Sequence, residues 1–188
     1  MRYVPLLVLA VFWVLWSAAF IAQRRRNRGQ PAVAKAPAAR WGIILQILAI
    51  SVALQHRFDH PGDWLIAPGW RLVAEIAFGV VAVVLGRSAV AVLGKQWRYD
   101  AALITDHQLV QSGPYAIVRH PIYTSMFALL LATGFAVSGW PQFAASIILF
   151  AAGTELRVRE EERLLGAHFG SEFASYRARV PAYIPFLR

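Results

Sequence analysis

Cysteine is absent from the 188 residues, which excludes disulfides, thiolate metal centres and cysteine nucleophiles and leaves no trace of redox compartment. Charge is scarce too: Asp, Glu, Lys and Arg make up 15% of the chain, well below the share typical of soluble domains. In their place stand hydrophobic residues, 58% of the total, with a mean hydropathy of +0.49. A membrane-spanning helix needs about 20 apolar residues, so this chain holds about five spans and little else. That leaves no room for a separate soluble catalytic domain. The composition predicts an all-α, polytopic integral membrane protein, one membrane domain over 1–188. The charges present are lopsided, 19 Lys and Arg against 10 Asp and Glu for a net +9. Such an excess suits nucleic acid or an anionic lipid surface, and position decides between them.

Apolar runs place the spans at approximately 3–22, 41–56, 69–93, 122–137 and 142–156. The first has only Arg2 before it and Arg24, Arg25, Arg26 and Arg28 after it. That is the reverse of a secretory signal, despite the small residues Ser17-Ala18-Ala19, so it reads as a retained span. The Pro/Ala stretch 30–40 is a linker of low complexity. His56, Asp59, His60 and Asp63 are metal-ligand types, but their spacing matches no ligand signature and Pro61-Gly62 marks a turn, so a solvated loop and no metal are expected. Glu75 and Arg87 lie towards the two ends of the third span, where snorkelling to the interface is cheap. Ser138-Gly139-Trp140-Pro141 joins the fourth and fifth spans as a helical hairpin.

Most Lys and Arg fall after the first span, after the third span and in the tail. With five spans these segments share one face, and the positive-inside rule puts the N-terminus outside and the C-terminus in the cytoplasm, in the cytoplasmic (inner) membrane. Topology thus accounts for the charge excess, and a nucleic-acid partner loses its support. The same face receives two unusual segments, a loop at 95–121 and a helical tail at 157–188. In the loop, Gly113-Pro114 forces a turn, and Pro121 opens the fourth span at the favoured first-turn position. His120 is thereby held at a helix N-terminus whose free N–H groups suit a carboxylate. Tyr115 and Tyr123 offer flat faces with hydroxyls, and Leu109 and Val110 offer apolar ones for a purine. This inventory suits a zwitterionic, partly aromatic cofactor at the membrane surface, and suits an ordinary interfacial aromatic belt equally well.

The tail pattern predicts a helix from Glu155 to about His168, a stop at Gly170 and a second short helix to Val180. Glu155 with Arg159 is an ordinary i,i+4 pair. Arg157 and Glu161 share a face just outside a span, where an unpaired cation and anion are costly without a purpose.

Together the segments resemble the isoprenylcysteine carboxyl methyltransferase family, whose wider group includes phospholipid N-methyltransferases. The matching elements are His107-Gln108-Leu109-Val110, Gly113-Pro114-Tyr115, Arg119-His120-Pro121-Ile122-Tyr123, then Arg157, Glu160-Glu161-Glu162, Leu165, Phe169-Gly170, Tyr176, Val180-Pro181 and Ile184-Pro185. They cover roughly residues 96–188. Ser125 stands where the family commonly has Gly.

The resemblance implies an S-adenosylmethionine-dependent membrane methyltransferase, releasing S-adenosylhomocysteine, whose lipophilic or prenylated substrate arrives from the bilayer. It implies that His107, Gln108, Leu109, Val110, Tyr115, His120, Pro121, Ile122, Tyr123 and Glu161 line the cofactor, with Arg157 facing the substrate and Arg157 and Glu161 catalytic. A carboxylate acceptor is already ionised at neutral pH and needs orientation by Arg157. An amine acceptor must lose a proton, with Glu161 as the candidate base. Carboxyl O-methylation of an isoprenylcysteine-like acceptor is the leading expectation. Phospholipid amine N-methylation, a non-enzymatic scaffold and a membrane reductase remain alternatives, the last weakened because nothing resembles a Gly-rich dinucleotide loop.

Overall fold

The computed structural model describes residues 3–28, 32–59, 69–99, 102–104 and 107–183. Among the described residues there are six α-helices: α1 (Val4–Arg26), α2 (Ala39–Asp59), α3 (Gly69–Leu93), α4 (Pro121–Val137), α5 (Trp140–Phe169) and α6 (Ser171–Arg179). Short 3-10 turns lie at Gly94–Gln96 and Gly113–Ala116. Proline sits in the first turn of α1, α4 and α5, where its missing N–H has no partner to lose.

The all-α expectation needs one correction. β1 (Ala32–Lys35) pairs antiparallel with β2 (Ala102–Ile104), Ala34 opposite Leu103 and Lys35 opposite Ala102. Strands this short leave no period-2 signal, and their pairing joins two linkers far apart in sequence.

At 30 residues α5 is about 45 Å long, against a hydrocarbon core of about 30 Å. The segment expected as the fifth span, 142–156, is thus the first half of one unbroken helix that continues to Phe169. It stops at Gly170, whose φ of 52° is favourable only for glycine, and α6 follows at once. α2 runs through Asp59, so His56–Asp59 are helical, not a loop; His60 and Asp63 lie outside the described residues.

Two of these helices, α1 and α3 continued to Gln96, are long and apolar enough to cross a membrane, while Ala39–Gln55 and α4 are shorter apolar helices. The outward faces of α1, α3 and α5 carry apolar residues: Leu7, Val14, Val73, Val84 and Ile148 are each more than 60% exposed. A water-facing bundle does not present such a surface; a lipid-facing one does.

Inside the bundle, small residues set the packing, as expected where lipid removes the hydrophobic drive between helices. On α3 the buried face is Glu75, Gly79, Ala82, Gly86 and Ala89, against which α1 and α4 pack. A Cβ on Gly79 or Gly86 meets Phe12 or Trp16 of α1. α4 and α5 are joined as a hairpin through Ser138-Gly139, yet α5 packs chiefly on α2 and α4 chiefly on α3. Arg71 caps the far end of α4, its Nη2 donating to the carbonyls of Gly134 (3.0 Å) and Ser138 (2.7 Å).

Glu75 departs from expectation. It does not snorkel but is fully buried, with neither carboxyl oxygen hydrogen-bonded among the described residues. It lies six residues, about 9 Å, into α3 on the stripe shared with Gly79 and Ala82, so its side chain faces the bundle. Arg87 is exposed, as its position near the other end suggested.

The α2–α5 contact brings the two backbones close. A Cβ at Gly42 falls 2.3 Å from the Gly153 carbonyl oxygen and 2.5 Å from Cγ of Arg157. Gly42→Ala therefore forces the helices apart, with an expected loss of about 1–3 kcal/mol. Thermal unfolding of purified protein in detergent checks this, and an unchanged midpoint contradicts it.

Candidate functional site

Where the last turns of α5 leave the bundle, they meet the loop that precedes α4. Arg119 is buried there, its Nε and Nη2 donating to Oε1 of Glu162 at 3.0 and 2.7 Å. Its Nη1 donates to the carbonyls of Arg177 (3.0 Å) and Val180. Nε2 of His120 lies 3.2 Å from the same Glu162 oxygen, and Nε of Arg177 lies 3.4 Å from the other. The backbone continues the clamp: the amides of Arg119 and His120 donate to the carbonyls of Pro181 (2.8 Å) and Ala182 (3.0 Å). Tyr176 adds its hydroxyl, donated to the Tyr115 carbonyl at 2.6 Å; burial pushes that hydroxyl up to about 12. The tail is thus fastened over the loop at both ends.

Beneath this roof lies a cavity of about 340 Å³, within the size range of small-ligand sites. Of the eleven residues named from the sequence, ten are on its wall: His107, Gln108, Leu109, Val110, Tyr115, His120, Ile122, Tyr123, Arg157 and Glu161. Pro121 is not; it is fully buried as the first residue of α4, where it starts the helix beneath His120. Gln96 holds the loop in place, its Oε1 accepting the Gln108 amide at 2.8 Å.

Three charged or polar groups form a chain on one side. Nε of Arg157 donates to the Tyr123 hydroxyl at 2.6 Å, and that hydroxyl donates to Oε1 of Glu161. Nη2 of Arg157 donates to the Tyr99 carbonyl at 3.1 Å and lies 3.7 Å from Glu161. Its Nη1 has no hydrogen bond among the described residues, leaving donors for an anion. Glu161 also lies 3.7 Å from Nδ1 of His120. His107, also on the wall, has a buried Nδ1 with no hydrogen-bond partner among the described residues. Burial, reinforced by His168, lowers the His107 pKa and so favours the neutral ring. These groups fit a ligand that is zwitterionic at one end and carries a hydrogen-bonding ring at the other.

Sequence reasoning missed part of the wall. Trp16 and Phe20 of α1 and Ile43, Gln46, Ile47 and Ile50 of α2 line the cavity, although that half of the chain carries no motif. Their signal, isolated polar or aromatic residues in apolar runs, is indistinguishable from packing. Arg119 and Glu162 stood in the quoted pattern without a role; an arginine beside the histidine and three consecutive glutamates were the available clue. Ser125 is accommodated without loosening the helices: it is fully buried, accepts from Nε1 of Trp16 at 3.2 Å and donates to the Ile122 carbonyl at 2.7 Å.

Fold and site define a helical membrane protein with a largely apolar cavity, carrying a few charged and polar groups, between its lipid-facing bundle and a clamped C-terminal tail. Residues 75–167 match the isoprenylcysteine carboxyl methyltransferase (ICMT) family, and the chain belongs to it. It is 30% identical over 151 residues to the cobalt-zinc-cadmium resistance protein CzcN of Cupriavidus metallidurans, covering 78% of this chain and 62% of that protein. To the nickel-cobalt-cadmium resistance protein NccN of Alcaligenes xylosoxydans it is 27% identical over 150 residues, 78% and 63% of the two chains. To the protein-S-isoprenylcysteine O-methyltransferase of Schizosaccharomyces pombe it is 35% identical over 83 residues, 44% and 35% of the two. The chain spans about three fifths of the length of the first two relatives. Among the described residues no group of three or more His, Asp or Glu is placed to hold a metal ion.

Glu162 makes the clamp testable. Burial alone raises its pKa, but the hydrogen bonds and charges of His120 and Arg119 outweigh that and hold it at about 2. Because the folded value lies below the unfolded 4.5, the carboxylate stabilises the fold above about pH 4.5, and that contribution is lost as pH falls towards 2. Glu162→Gln is expected to cost on the order of 3 kcal/mol at neutral pH. Thermal unfolding of both proteins from pH 7 to 3 should show the gap narrowing below about pH 4.5; a gap independent of pH contradicts it.

Proposed function

We propose that this protein is an S-adenosylmethionine-dependent membrane methyltransferase that esterifies the carboxylate of a lipophilic, isoprenylcysteine-like acceptor. The observation that carries this reading is the convergence of ten residues, chosen from sequence alone, on one cavity with a free guanidinium edge. Bound S-adenosylmethionine supplies an electrophilic methyl group on a sulfonium.

The chain's residues do the rest by position and exclusion of water. Glu161, braced by Tyr123 and facing His120, offers a carboxylate to an ammonium group. The Nδ1 of His107, without a partner among the described residues, and the side chains of Leu109 and Val110 suit the base edge and face of an adenine. Nη1 of Arg157 orients an acceptor carboxylate by charge-assisted hydrogen bonds. Tyr123 and the Tyr99 carbonyl hold the other donors of that guanidinium, which keeps its free edge fixed. A carboxylate has no proton to lose, so no general base is required. The apolar wall from α1 and α2 suits a tail arriving from the bilayer. The protein crosses the cytoplasmic membrane five times, N-terminus outside, with the cavity on the cytoplasmic face.

Four measurements test this. S-adenosylmethionine and S-adenosylhomocysteine are expected to raise the unfolding temperature of the purified protein, and nicotinamide nucleotides are not. Labelled methyl groups are expected to appear in membrane lipids or farnesyl-cysteine analogues as base-labile esters; base-stable label points to an amine acceptor instead. Arg157→Ala is expected to lower transfer at least about 100-fold while calorimetric cofactor affinity stays within a few-fold, and Glu161→Ala to weaken cofactor binding; the reverse pattern sinks the assignment. Because the chain lacks cysteine, single cysteines introduced at Arg28 and Gly139 should label from opposite sides of the membrane, and labelling from one side removes the five-span topology.

A further inference from the structure

The cavity wall includes an apolar floor of Trp16, Ile50 and Met126, one each from α1, α2 and α4. Gln46 stands between the guanidinium and this apolar floor. It is one helical turn, about 6 Å, deeper than Gly42, which abuts Arg157. The residue is 2% exposed, yet it lines the cavity. One end of its amide is held by the Thr154 hydroxyl at 2.9 Å. The other end makes no hydrogen bond among the described residues. With the side chain sealed on its remaining sides, that end reaches only the cavity. An interhelical bond to Thr154 explains half of this amide; an unpaired polar end among isoleucines is unfavourable unless a ligand completes it.

We propose that Gln46 is a specificity-determining residue that hydrogen-bonds an amide of the methyl acceptor, placed between its carboxylate and its apolar tail. The acceptor class is then an N-acylated amino acid, whose three parts meet Arg157, Gln46 and the floor in that order. This deepens the methyl-transfer reading and rests on it. In the step, a carboxylate oxygen forms the new bond to the methyl carbon as the methyl–sulfur bond breaks, its electron pair returning to sulfur. No proton moves. An amide in the acceptor changes binding and alignment, not this balance.

The test uses purified full-length protein in lipid nanodiscs, labelled S-adenosylmethionine, and two acids of equal backbone length, N-decanoylglycine and tridecanoic acid. Wild type is expected to favour N-decanoylglycine by about tenfold in kcat/KM, the scale of one hydrogen bond. Gln46→Met should bring the two acids to near equality while thermal stabilisation by S-adenosylmethionine persists. Thr154→Val, which removes the interhelical bond and leaves the amide, should keep the preference. Equal use of both acids by wild type, or an equal loss for both in Gln46→Met, overturns the inference. Should Gln46→Met not fold, Gln46→Asn, which withdraws the amide by one methylene, carries the same comparison. Label in membrane lipids but in neither acid removes the N-acyl proposal and leaves methyl transfer standing. The absence of any label, with no thermal shift from S-adenosylmethionine, removes both.

Discussion

The buried carboxylate of Glu162 joins the two segments that make the cavity. Arg119 and His120 come to it from the loop before α4, and Arg177 comes from α6. Taking these charges out of water is unfavourable, and a buried pair is net stabilising only when its remaining hydrogen-bonding capacity is met. Here the requirement is met: Arg119 uses Nε, Nη1 and Nη2, two of them on Glu162 and the third on backbone carbonyls of the tail. α6 has little else to hold it, since it is nine residues long and buries only Phe173 and Tyr176. With Glu162 in place the tail roofs the cavity. Without it, the roof retains the Tyr176 bond and the short backbone ladder from Pro181 to Ala182.

Glu161 and Glu162 show how one helix serves two surfaces. Successive residues on an α-helix point about 100° apart, so adjacent glutamates reach different neighbours. Glu161 meets Tyr123 and the cavity; Glu162 meets Arg119 and the tail. The length of α5 places both there, because a helix that spans the bundle and continues unbroken transmits the position of its buried half to its projecting half. That buried half is located by contact with α2, where Gly42 and Gly153 let the backbones approach and Gln46 bonds Thr154. The guanidinium of Arg157 is therefore positioned from two sides, by α2 packing beneath it and by Tyr123 and Tyr99 around it.

Much of this was legible before any coordinates. Long apolar runs locate α1 and α3, proline marks the starts of α4 and α5, and Gly170 ends α5, because each is a local preference of the backbone or of apolar side chains. The residues of the loop and tail were legible as well, through an ordered pattern from His107 to Pro185. Other features were not. The β1–β2 pair joins two linkers, and nothing in Ala32–Lys35 or Ala102–Ile104 names the other. Glu75 reads as a terminal snorkelling charge in a linear hydropathy plot; only the helical face it shares with Gly79 shows that it points inward.

The sequence by itself determined that the chain is built of apolar helices, where most of them begin, and that Arg157 and Glu161 share a face. Those properties follow from hydrophobic length, proline and glycine geometry and charge, all of which act over a few residues. Tertiary structure alone decided that α5 lies on α2 and not on its sequence neighbour α4, that Trp16 and Gln46 belong to the cavity, and that Glu162 clamps the tail while Glu161 faces the site. These outcomes depend on which small faces fit together across the bundle, and that fit is a property of shapes brought side by side, not of any segment read alone.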